Sequence, residues 1–220
     1  MALEVERKYL GVDQACLRHR LRLLGARPLG AHFEGNWVLD TPDNTLFASR
    51  RLLRLRRQEW PDKVRHVLTL KLPVADDGVH NCKVREELEL NIQDAVAMTA
   101  VLQGLGYRVR ARYEKVREPW LIGKVEVALD ILPFAHVLEM EGPAQALEQA
   151  ALVLDLDRYT ISTKSYHQLH QEWRMSQGLP PCLSFVFSQD KQRDWRESLG
   201  LAPDGTDQLM PEAEEGAHAV

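Results

Sequence analysis

Three pairs of glutamates, each separated by one residue, are the side chains in this sequence best suited to chemistry. They are Glu4 and Glu6, Glu87 and Glu89, and Glu139 and Glu141. Because alternate residues of a β-strand point to the same face, each pair places two carboxylates side by side. Clustered carboxylate oxygens bind hard cations such as Mg²⁺ or Mn²⁺. The repeated spacing therefore predicts a divalent-metal site assembled on β-strands.

Basic side chains follow the same alternation. Arg54 and Arg56 fall on one face of a predicted strand, and Leu53 and Leu55 fall on the other. Two arginines about 6.6 Å apart repel each other by about 2.5 kcal/mol at an effective dielectric of about 20, so they require a counter-ion. Paired arginines and lysines bind phosphate oxygens. The alternating bases are Lys8, Arg54, Arg56, Lys71, Lys83, Arg85, Lys115 and Arg117, and the further acids are Glu126 and Asp130. Acids and bases together predict a metal ion and a polyphosphate in one site.

Other interpretations of the same charges remain open. A half-buried strand with its charges in water shows the same alternation. The charges could also form a lattice of salt bridges that neutralise one another, although buried ion pairs are costly and rarely accumulate without a use. The arginine-rich residues 52–57 are compatible with a localisation or nucleic-acid signal, but leucines at every second position favour a strand.

The segments between the charged strands predict helices. Asp13 can cap a helix that ends at Gly25, and Asp94 can cap a second one that ends near Gly104. The further predicted elements are a strand over residues 35–40, a turn over 41–44, a polar loop over 76–78, a helix over 145–154 and a helical stretch that begins near residue 163. If the helices cover the apolar strand faces, the charged faces line a closed barrel, which also removes edge strands. We therefore predict an α+β fold in which α-helices cover a β-barrel with a charged interior.

Composition limits the classes of partner. The net charge of −4 and a pI near 6.1 argue against a nucleic-acid surface or an anionic-membrane surface, since both require an excess of lysine and arginine. The three cysteines, Cys16, Cys82 and Cys182, lack Cys-x-x-Cys spacing, which favours a reducing compartment, and we expect the cytoplasm. No apolar run is long enough to predict a targeting or membrane-spanning segment.

The pattern changes after about residue 177. Pro180 and Pro181 interrupt the chain, residues 185–199 are compatible with a short amphipathic helix through Phe187, and residues 211–220 are acidic. We expect one main domain over residues 1–177 and a partly disordered C-terminal extension over 178–220.

The histidines and glycines carry little functional signal. His167 and His170 lie three residues apart on a predicted helix and could bind a metal, but a packing role is favoured. The sequence has no glycine-rich phosphate-binding loop, which excludes a P-loop enzyme.

In this order the motifs resemble the CYTH domain of the triphosphate tunnel metalloenzymes. The residues that carry the resemblance are Glu4-x-Glu6-x-Lys8, Leu53-Arg54-Leu55-Arg56, Lys71, Arg85-x-Glu87-x-Glu89, Lys115-x-Arg117, Leu129-Asp130 and Glu139-x-Glu141, within about residues 2 to 175. The resemblance implies an eight-stranded antiparallel β-barrel that forms a tunnel. It also implies a small-molecule triphosphate as substrate and Mg²⁺ or Mn²⁺ as cofactor.

Residue roles follow from the resemblance. It implies metal ligation by Glu4, Glu6, Asp130, Glu139 and Glu141. It implies catalytic contacts with the triphosphate by Lys8, Lys71 and Arg117, and substrate binding by Arg54, Arg56, Lys83, Arg85, Lys115 and Lys164. Leu72 and the loop at residues 133–136 depart from the family pattern because glycines common in many members are absent there.

The resemblance leaves the reaction open. Hydrolysis of tripolyphosphate or of an organic triphosphate, as in inorganic and thiamine triphosphatases, is the favoured activity. The first alternative is a class IV adenylate cyclase that makes cyclic AMP from ATP, and the second is a non-catalytic polyphosphate-binding module. We expect no nucleic-acid or membrane partner, and a homodimer is left open.

Overall fold

The computed structural model describes residues 2–74 and 81–202. The polar loop predicted at residues 76–78 and the acidic tail predicted at residues 211–220 lie outside the described residues.

The strands form one antiparallel sheet that closes on itself. They are β1 (Ala2–Leu10), β2 (Arg27–Pro28), β3 (His32–Asp40), β4 (Leu52–Trp60), β5 (Lys63–Pro73), β6 (Lys83–Ile92), β7 (Arg108–Ile122), β8 (Val125–Ile131), β9 (His136–Glu141) and β10 (Thr160–Ser162). Eight of these described strands make the barrel in the order β1, β6, β5, β4, β3, β7, β8 and β9, and β9 pairs with β1 to close it. The two short strands lie outside this ring, with β2 on β7 and β10 on β1. The structure confirms the predicted eight-stranded α+β barrel.

Helices cover the outside of the barrel. The described helices are α1 (Gln14–Leu23), α2 (Thr45–Ala48), α3 (Ala95–Gly104), α4 (Ala144–Leu154), α5 (Tyr166–Ser176) and α6 (Gln189–Ser198). The predicted caps are present, because the carboxylates of Asp13 and Asp94 accept hydrogen bonds from the backbone N–H groups of Cys16 and Ala97. Ser165 and Gln168 form a reciprocal capping box that starts α5 at the predicted place.

The apolar faces of the strands point outward under these helices. Leu17 of α1 and Leu147 of α4 pack with Val127, Leu129 and Met140, all of them almost fully buried. On another side of the barrel, Leu102 of α3 covers a cluster that contains Trp37, Leu39 and Leu55. Since side chains alternate along each strand, the opposite set of residues must face the barrel interior.

Two predicted boundaries were wrong. The strand expected over residues 35–40 begins earlier, at His32, because pairing with β7 starts there with Arg117 as the partner. The turn predicted at 41–44 is present, since the backbone N–H of Asn44 donates to the carbonyl oxygen of Thr41 at 2.9 Å, and α2 follows it. In the extension, α6 begins at Gln189 because the Ser188 side chain caps it, so Phe187 precedes the helix instead of lying in it.

The extension contacts the barrel before α6 starts. Phe185 and Phe187 are both buried, and Phe185 forms an isolated parallel bridge with Tyr113 of β7. The proposed division at residues 177 and 178 stays a prediction. Within the described part of the chain, no helix combines the length and apolar character needed to cross a membrane.

Candidate active site

The barrel interior holds a cavity of about 420 Å³. Most of the residues predicted from alternation line it: Glu4, Glu6, Lys8, Arg54, Arg56, Lys71, Lys83, Lys115, Arg117, Glu139 and Glu141, together with Glu87, Glu89 and Glu126. These residues come from strands β1, β4, β5, β6, β7, β8 and β9, so the barrel brings together charges that are up to about 137 positions apart in the sequence. The structure thus gathers the predicted acids and bases around one cavity.

One row of carboxylates crosses three neighbouring strands. Glu141 of β9 lies directly opposite Glu126 of β8 on one side and directly opposite Glu6 of β1 on the other. Directly opposed residues in an antiparallel pair have Cβ atoms about 4.5–5.5 Å apart. Lys83 of β6 continues the row beside Glu6, and its Nζ lies 3.0 Å from a Glu6 carboxylate oxygen.

Lys71 links the acids at a second point. Its Nζ donates to both carboxylate oxygens of Glu4 at 2.6 Å and lies 3.2 Å from Glu87. Burial, together with the nearby Glu4 carboxylate, raises the pKa of Glu87 to about 7 despite the opposing effect of Lys71. Burial and the carboxylates of Glu4 and Glu139 raise the pKa of Glu141 to about 7 as well. This side of the cavity therefore holds more acid than its bases neutralise.

Lys8 neutralises the acids next to it more completely. Its Nζ lies 2.8 Å from Glu6 and 3.2 Å from Glu139. Burial alone would raise the pKa of Glu6, but Lys8 holds it down to about 2. Glu139 also accepts a hydrogen bond from Arg117 at 2.8 Å, so each of its carboxylate oxygens contacts a base.

The donor chemistry fits a divalent cation on the acid-rich side. All of the candidate ligands are carboxylate oxygens, which suit hard cations, and the Nζ of Lys71 is shared between the carboxylates of Glu4 and Glu87. Among residues 2–74 and 81–202, no three histidine, cysteine or acidic side chains already converge into a metal-binding group. Glu4, Glu6 and Glu141 are the residues that would hold the cation, and metal ligation by Glu139 stays a prediction.

Asp130 lies beneath the cavity wall and is fully buried. Its carboxylate accepts hydrogen bonds from Arg117 at 2.7 and 2.6 Å, from Lys115 at 3.2 Å and from the hydroxyl of Tyr166. Asp130 therefore holds the side chains of Arg117 and Lys115, which line the cavity, in fixed orientations. Metal ligation by Asp130 stays a prediction.

Two predicted substrate-binding residues are placed away from the cavity lining. Arg85 donates from Nη1 to the carbonyl oxygen of Val84 at 3.4 Å. Lys164 is exposed, precedes the N-cap Ser165 of α5, and forms an ion pair with Glu172 on that helix. Their roles in binding also stay predictions.

Arg54 on β4 carries buried hydrogen-bond donors that no described residue satisfies. Arg54 is 7% exposed, and its Nη1 donates to the Tyr113 hydroxyl at 2.9 Å. Its Nε and Nη2 have no hydrogen-bond partner among the described residues. Arg56, two residues on, donates from Nε to the Asn36 side chain at 3.1 Å. The cavity therefore presents a buried cation with free donors, which is the property of an anion-binding site.

Residues of β3 were missed by the sequence analysis. Glu34 is completely buried, receives a hydrogen bond from Gln58 at 3.0 Å, and lies 3.4 Å from Lys115 and 3.7 Å from Arg56. Burial would raise the pKa of Glu34, but Arg56 and Lys115 hold it well below its usual value. The alternation His32-x-Glu34-x-Asn36 carried this signal, and it was overlooked because the strand was predicted to begin at residue 35.

Comparison with known proteins identifies the family. A family model described as the CYTH domain matches residues 2–166. The chain belongs to the CYTH domain family, a metal-dependent family of triphosphate tunnel enzymes whose members act as triphosphatases or adenylate cyclases. A sequence search of curated proteins finds no match.

Solved structures share the fold. The PH1819 protein of Pyrococcus horikoshii OT3 is 22% identical with a TM-score of 0.66, over 77% of this chain and 98% of that chain. A Vibrio parahaemolyticus protein described as a "putative adenylate cyclase" is 22% identical with a TM-score of 0.64, over 76% and 97% of the two chains. HpAC1 from Hippeastrum, described as having a dominant triphosphatase activity, is 20% identical with a TM-score of 0.57, over 82% and 98%. At these identities the likeness establishes the fold.

Proposed function

We propose that this protein is a divalent-cation-dependent hydrolase of triphosphates, acting on tripolyphosphate or on an organic triphosphate. The observation that carries the proposal is Arg54, a buried guanidinium on the cavity wall whose Nε and Nη2 lack partners among the described residues. Arginine stays charged in proteins, and leaving a buried charged donor unpaired costs several kcal/mol. Phosphate oxygens would supply the missing acceptors and offset the positive charge.

The neighbouring bases would bind the rest of the chain of phosphates. Arg56 lies two residues from Arg54 on β4, and Lys8, Lys71 and Arg117 line the same cavity. Their hydrogen bonds to phosphate oxygens would hold the substrate and neutralise the charge that develops as water attacks a phosphorus atom and the anhydride P–O bond breaks. Asp130 and Glu34 keep Arg117 and Lys115 in place for this role, because they pair with them from within the barrel wall.

The acids have a complementary role. Glu4, Glu6 and Glu141 would hold Mg²⁺ or Mn²⁺, which supplies Lewis-acid polarisation of a phosphate oxygen when bound. The same acids repel a polyphosphate that arrives without a cation, so binding of anion and cation should be linked. The closed barrel limits the access of bulk water and strengthens these charge interactions.

An adenylate cyclase is the second candidate, and one structural feature favours it. His32 and Trp60 line the cavity near the β4–β5 turn, with ring centroids 4.4 Å apart. Flat aromatic surfaces suit a nucleobase, which ATP carries and tripolyphosphate lacks. In that reaction the ribose 3′-hydroxyl replaces water as the nucleophile and pyrophosphate leaves.

Product analysis separates the candidates. The purified protein is incubated with tripolyphosphate, thiamine triphosphate or ATP in the presence of Mg²⁺ or Mn²⁺. Release of orthophosphate supports the hydrolase, whereas cyclic AMP and pyrophosphate from ATP would support the cyclase. Binding of all three compounds with no product would leave a non-catalytic polyphosphate-binding module. We also propose a cytoplasmic location, on the basis of the cysteine spacing.

A further inference from the structure

Segment 182–187 pairs with the backbone of β7 at the residues before and after Tyr113, and Tyr113 lines the cavity. The backbone N–H of Phe185 donates to the carbonyl oxygen of Arg112 at 3.0 Å, and the N–H of Glu114 donates to the carbonyl oxygen of Phe185 at 3.0 Å. The segment therefore fixes the backbone immediately before and after Tyr113.

The side chain of Phe185 also contacts Tyr113 directly. The two rings are stacked with centroids 5.1 Å apart and planes 29° from parallel, and the residues Phe185 and Tyr113 are 4% and 5% exposed. His167 packs edge-on against Tyr113 at 5.2 Å and against Phe185 at 5.3 Å. His167 is in turn held by the same segment, because its Nδ1 donates to the carbonyl oxygen of Leu183 at 2.9 Å.

Tyr113 connects this packing to the cavity. Its hydroxyl accepts the hydrogen bond from Arg54 Nη1 at 2.9 Å, which is the one hydrogen bond of that guanidinium to a described residue. An arginine side chain has several rotatable bonds and loses about 2 kcal/mol of rotamer entropy when it is fixed. A rigid acceptor at one nitrogen aims the other donors before the ligand arrives, which improves binding by reducing that cost.

We propose that Phe185 is a positioning residue for Arg54 and acts through Tyr113. Phe185 lies beyond residues 2–166, the range matched by the family model, so this contact comes from the chain's own extension. The inference rests on the proposed function, because it assigns Arg54 to the binding of a triphosphate.

The test measures the dissociation constant of a non-hydrolysable imido analogue of tripolyphosphate by titration calorimetry at saturating Mg²⁺, so that the cation is present and turnover does not contribute. The variants are Phe185→Leu, Tyr113→Phe and the double variant, with Phe187→Leu as the matched control. Phe187 is also a buried phenylalanine of this segment, 7% exposed, but it packs against Phe33 and Trp195. Circular dichroism confirms that each variant is folded.

We expect Tyr113→Phe and Phe185→Leu each to weaken binding about five- to tenfold, because each loosens a charge-assisted hydrogen bond or its support. The double variant of Phe185→Leu and Tyr113→Phe should bind the ligand no more weakly than the weaker-binding of the two single variants. By contrast, the losses of affinity caused by Phe187→Leu and Tyr113→Phe should multiply when the two are combined. Multiplicative effects of Phe185→Leu and Tyr113→Phe would overturn the proposal, as would equal affinities of Phe185→Leu and Phe187→Leu. If Phe185→Leu does not fold, unchanged binding by Tyr113→Phe overturns it.

Arg54→Ala separates failure of the proposed function from failure of the positioning role alone. If Arg54→Ala leaves the affinity for the analogue unchanged, the proposed function fails and this inference fails with it. If Arg54→Ala weakens binding strongly while Tyr113→Phe and Phe185→Leu have no effect, only the positioning role is wrong.

Discussion

Lys71 donates from Nζ to both carboxylate oxygens of Glu4, at 2.6 Å each. In this arrangement a predicted phosphate-binding base is neutralised by a predicted metal ligand. A cation bound by Glu4 would compete for the same oxygens and leave Lys71 available for phosphate. The ion pair therefore suggests how binding of cation and triphosphate can be linked at one pair of side chains.

The acids should be essential for activity. Glu4→Gln and Glu141→Gln should each lower the rate of tripolyphosphate hydrolysis at least a hundredfold, because loss of a bound Lewis acid removes about 3 kcal/mol or more of transition-state stabilisation. The rate is measured by orthophosphate release at saturating Mg²⁺. Glu118→Gln is the control, since Glu118 binds Arg18 of α1 at 2.7 Å and does not line the cavity. Full turnover in excess chelator would rule out the cation requirement.

Arg54 and Arg56 lie on the face of β4 that lines the cavity, and Arg57 lies on the opposite face. Arg54→Ala and Arg56→Ala should each weaken tripolyphosphate binding about tenfold or more, because each removes charge-assisted hydrogen bonds worth about 1.5–3 kcal/mol. Arg57→Ala should change binding less than about twofold, because Arg57 pairs with Glu59 at 3.1 Å and does not line the cavity. Titration calorimetry measures the affinities. Equal losses at Arg56 and Arg57 would contradict the assignment of faces.

Ligand binding should stabilise the fold. A ligand that binds only the native state at about 100 times its dissociation constant adds about 2.7 kcal/mol, and each kcal/mol raises the Tm of a protein this size by about 2–4 °C. Tripolyphosphate with Mg²⁺, both at millimolar concentration, should therefore raise the Tm by more than about 5 °C in a calorimetric scan. Orthophosphate should have a smaller effect because it cannot span Arg54 and Arg56. An equal shift with orthophosphate would favour the salt-bridge lattice.

His167 should make stability depend on acid pH. Burial lowers the pKa of His167 to about 4, whereas an unfolded histidine has a pKa of about 6.5. Between these values the unfolded chain binds a proton that the folded protein excludes, so this contribution is complete above pH 6.5 and is lost as the pH falls towards 4. The loss is at most about 3 kcal/mol.

The measurement for His167 is urea unfolding between pH 4 and 7. The difference in unfolding free energy between the wild type and His167→Gln should shrink as the pH falls, which separates this group from acids that titrate in the same range. His19→Gln, at an exposed position on α1, is the control for replacing a histidine by glutamine. A constant difference for His167→Gln would show that the histidine is not held neutral.

Strand alternation predicted the cavity wall because the direction of a strand side chain is a local property. Arg54, Lys115 and Glu139 could be assigned to the interior without knowledge of the strand order. Glu34 was missed although the alternation His32-x-Glu34-x-Asn36 was present, because the strand was predicted to begin at residue 35. The strand begins at His32, which pairs with Arg117, 85 positions away, and pairings of this kind are set by the closed sheet as a whole.

Burial depth was equally hard to predict. Asp130 and Glu126 have the same parity on β8, but Asp130 is covered by the hydroxyl of Tyr166 from α5, whereas Glu126 lines the cavity. Likewise, the bridge between Phe185 and Tyr113 joins residues 72 positions apart. The sequence therefore identified the interior face but could not tell open cavity from packed wall.

The pairing of β1 with both β6 and β9 has a consequence for how the chain folds as it is synthesised. The first barrel strand ends at Leu10, and its last barrel partner, β9, ends at Glu141. Until that partner emerges from the ribosome, one flank of β1 has no hydrogen-bonding strand, and ring closure must join segments far apart in the chain. High contact order of this kind slows folding and exposes unpaired strand edges to aggregation. The N-terminal glutamates of the site therefore reach their final environment only late in biogenesis.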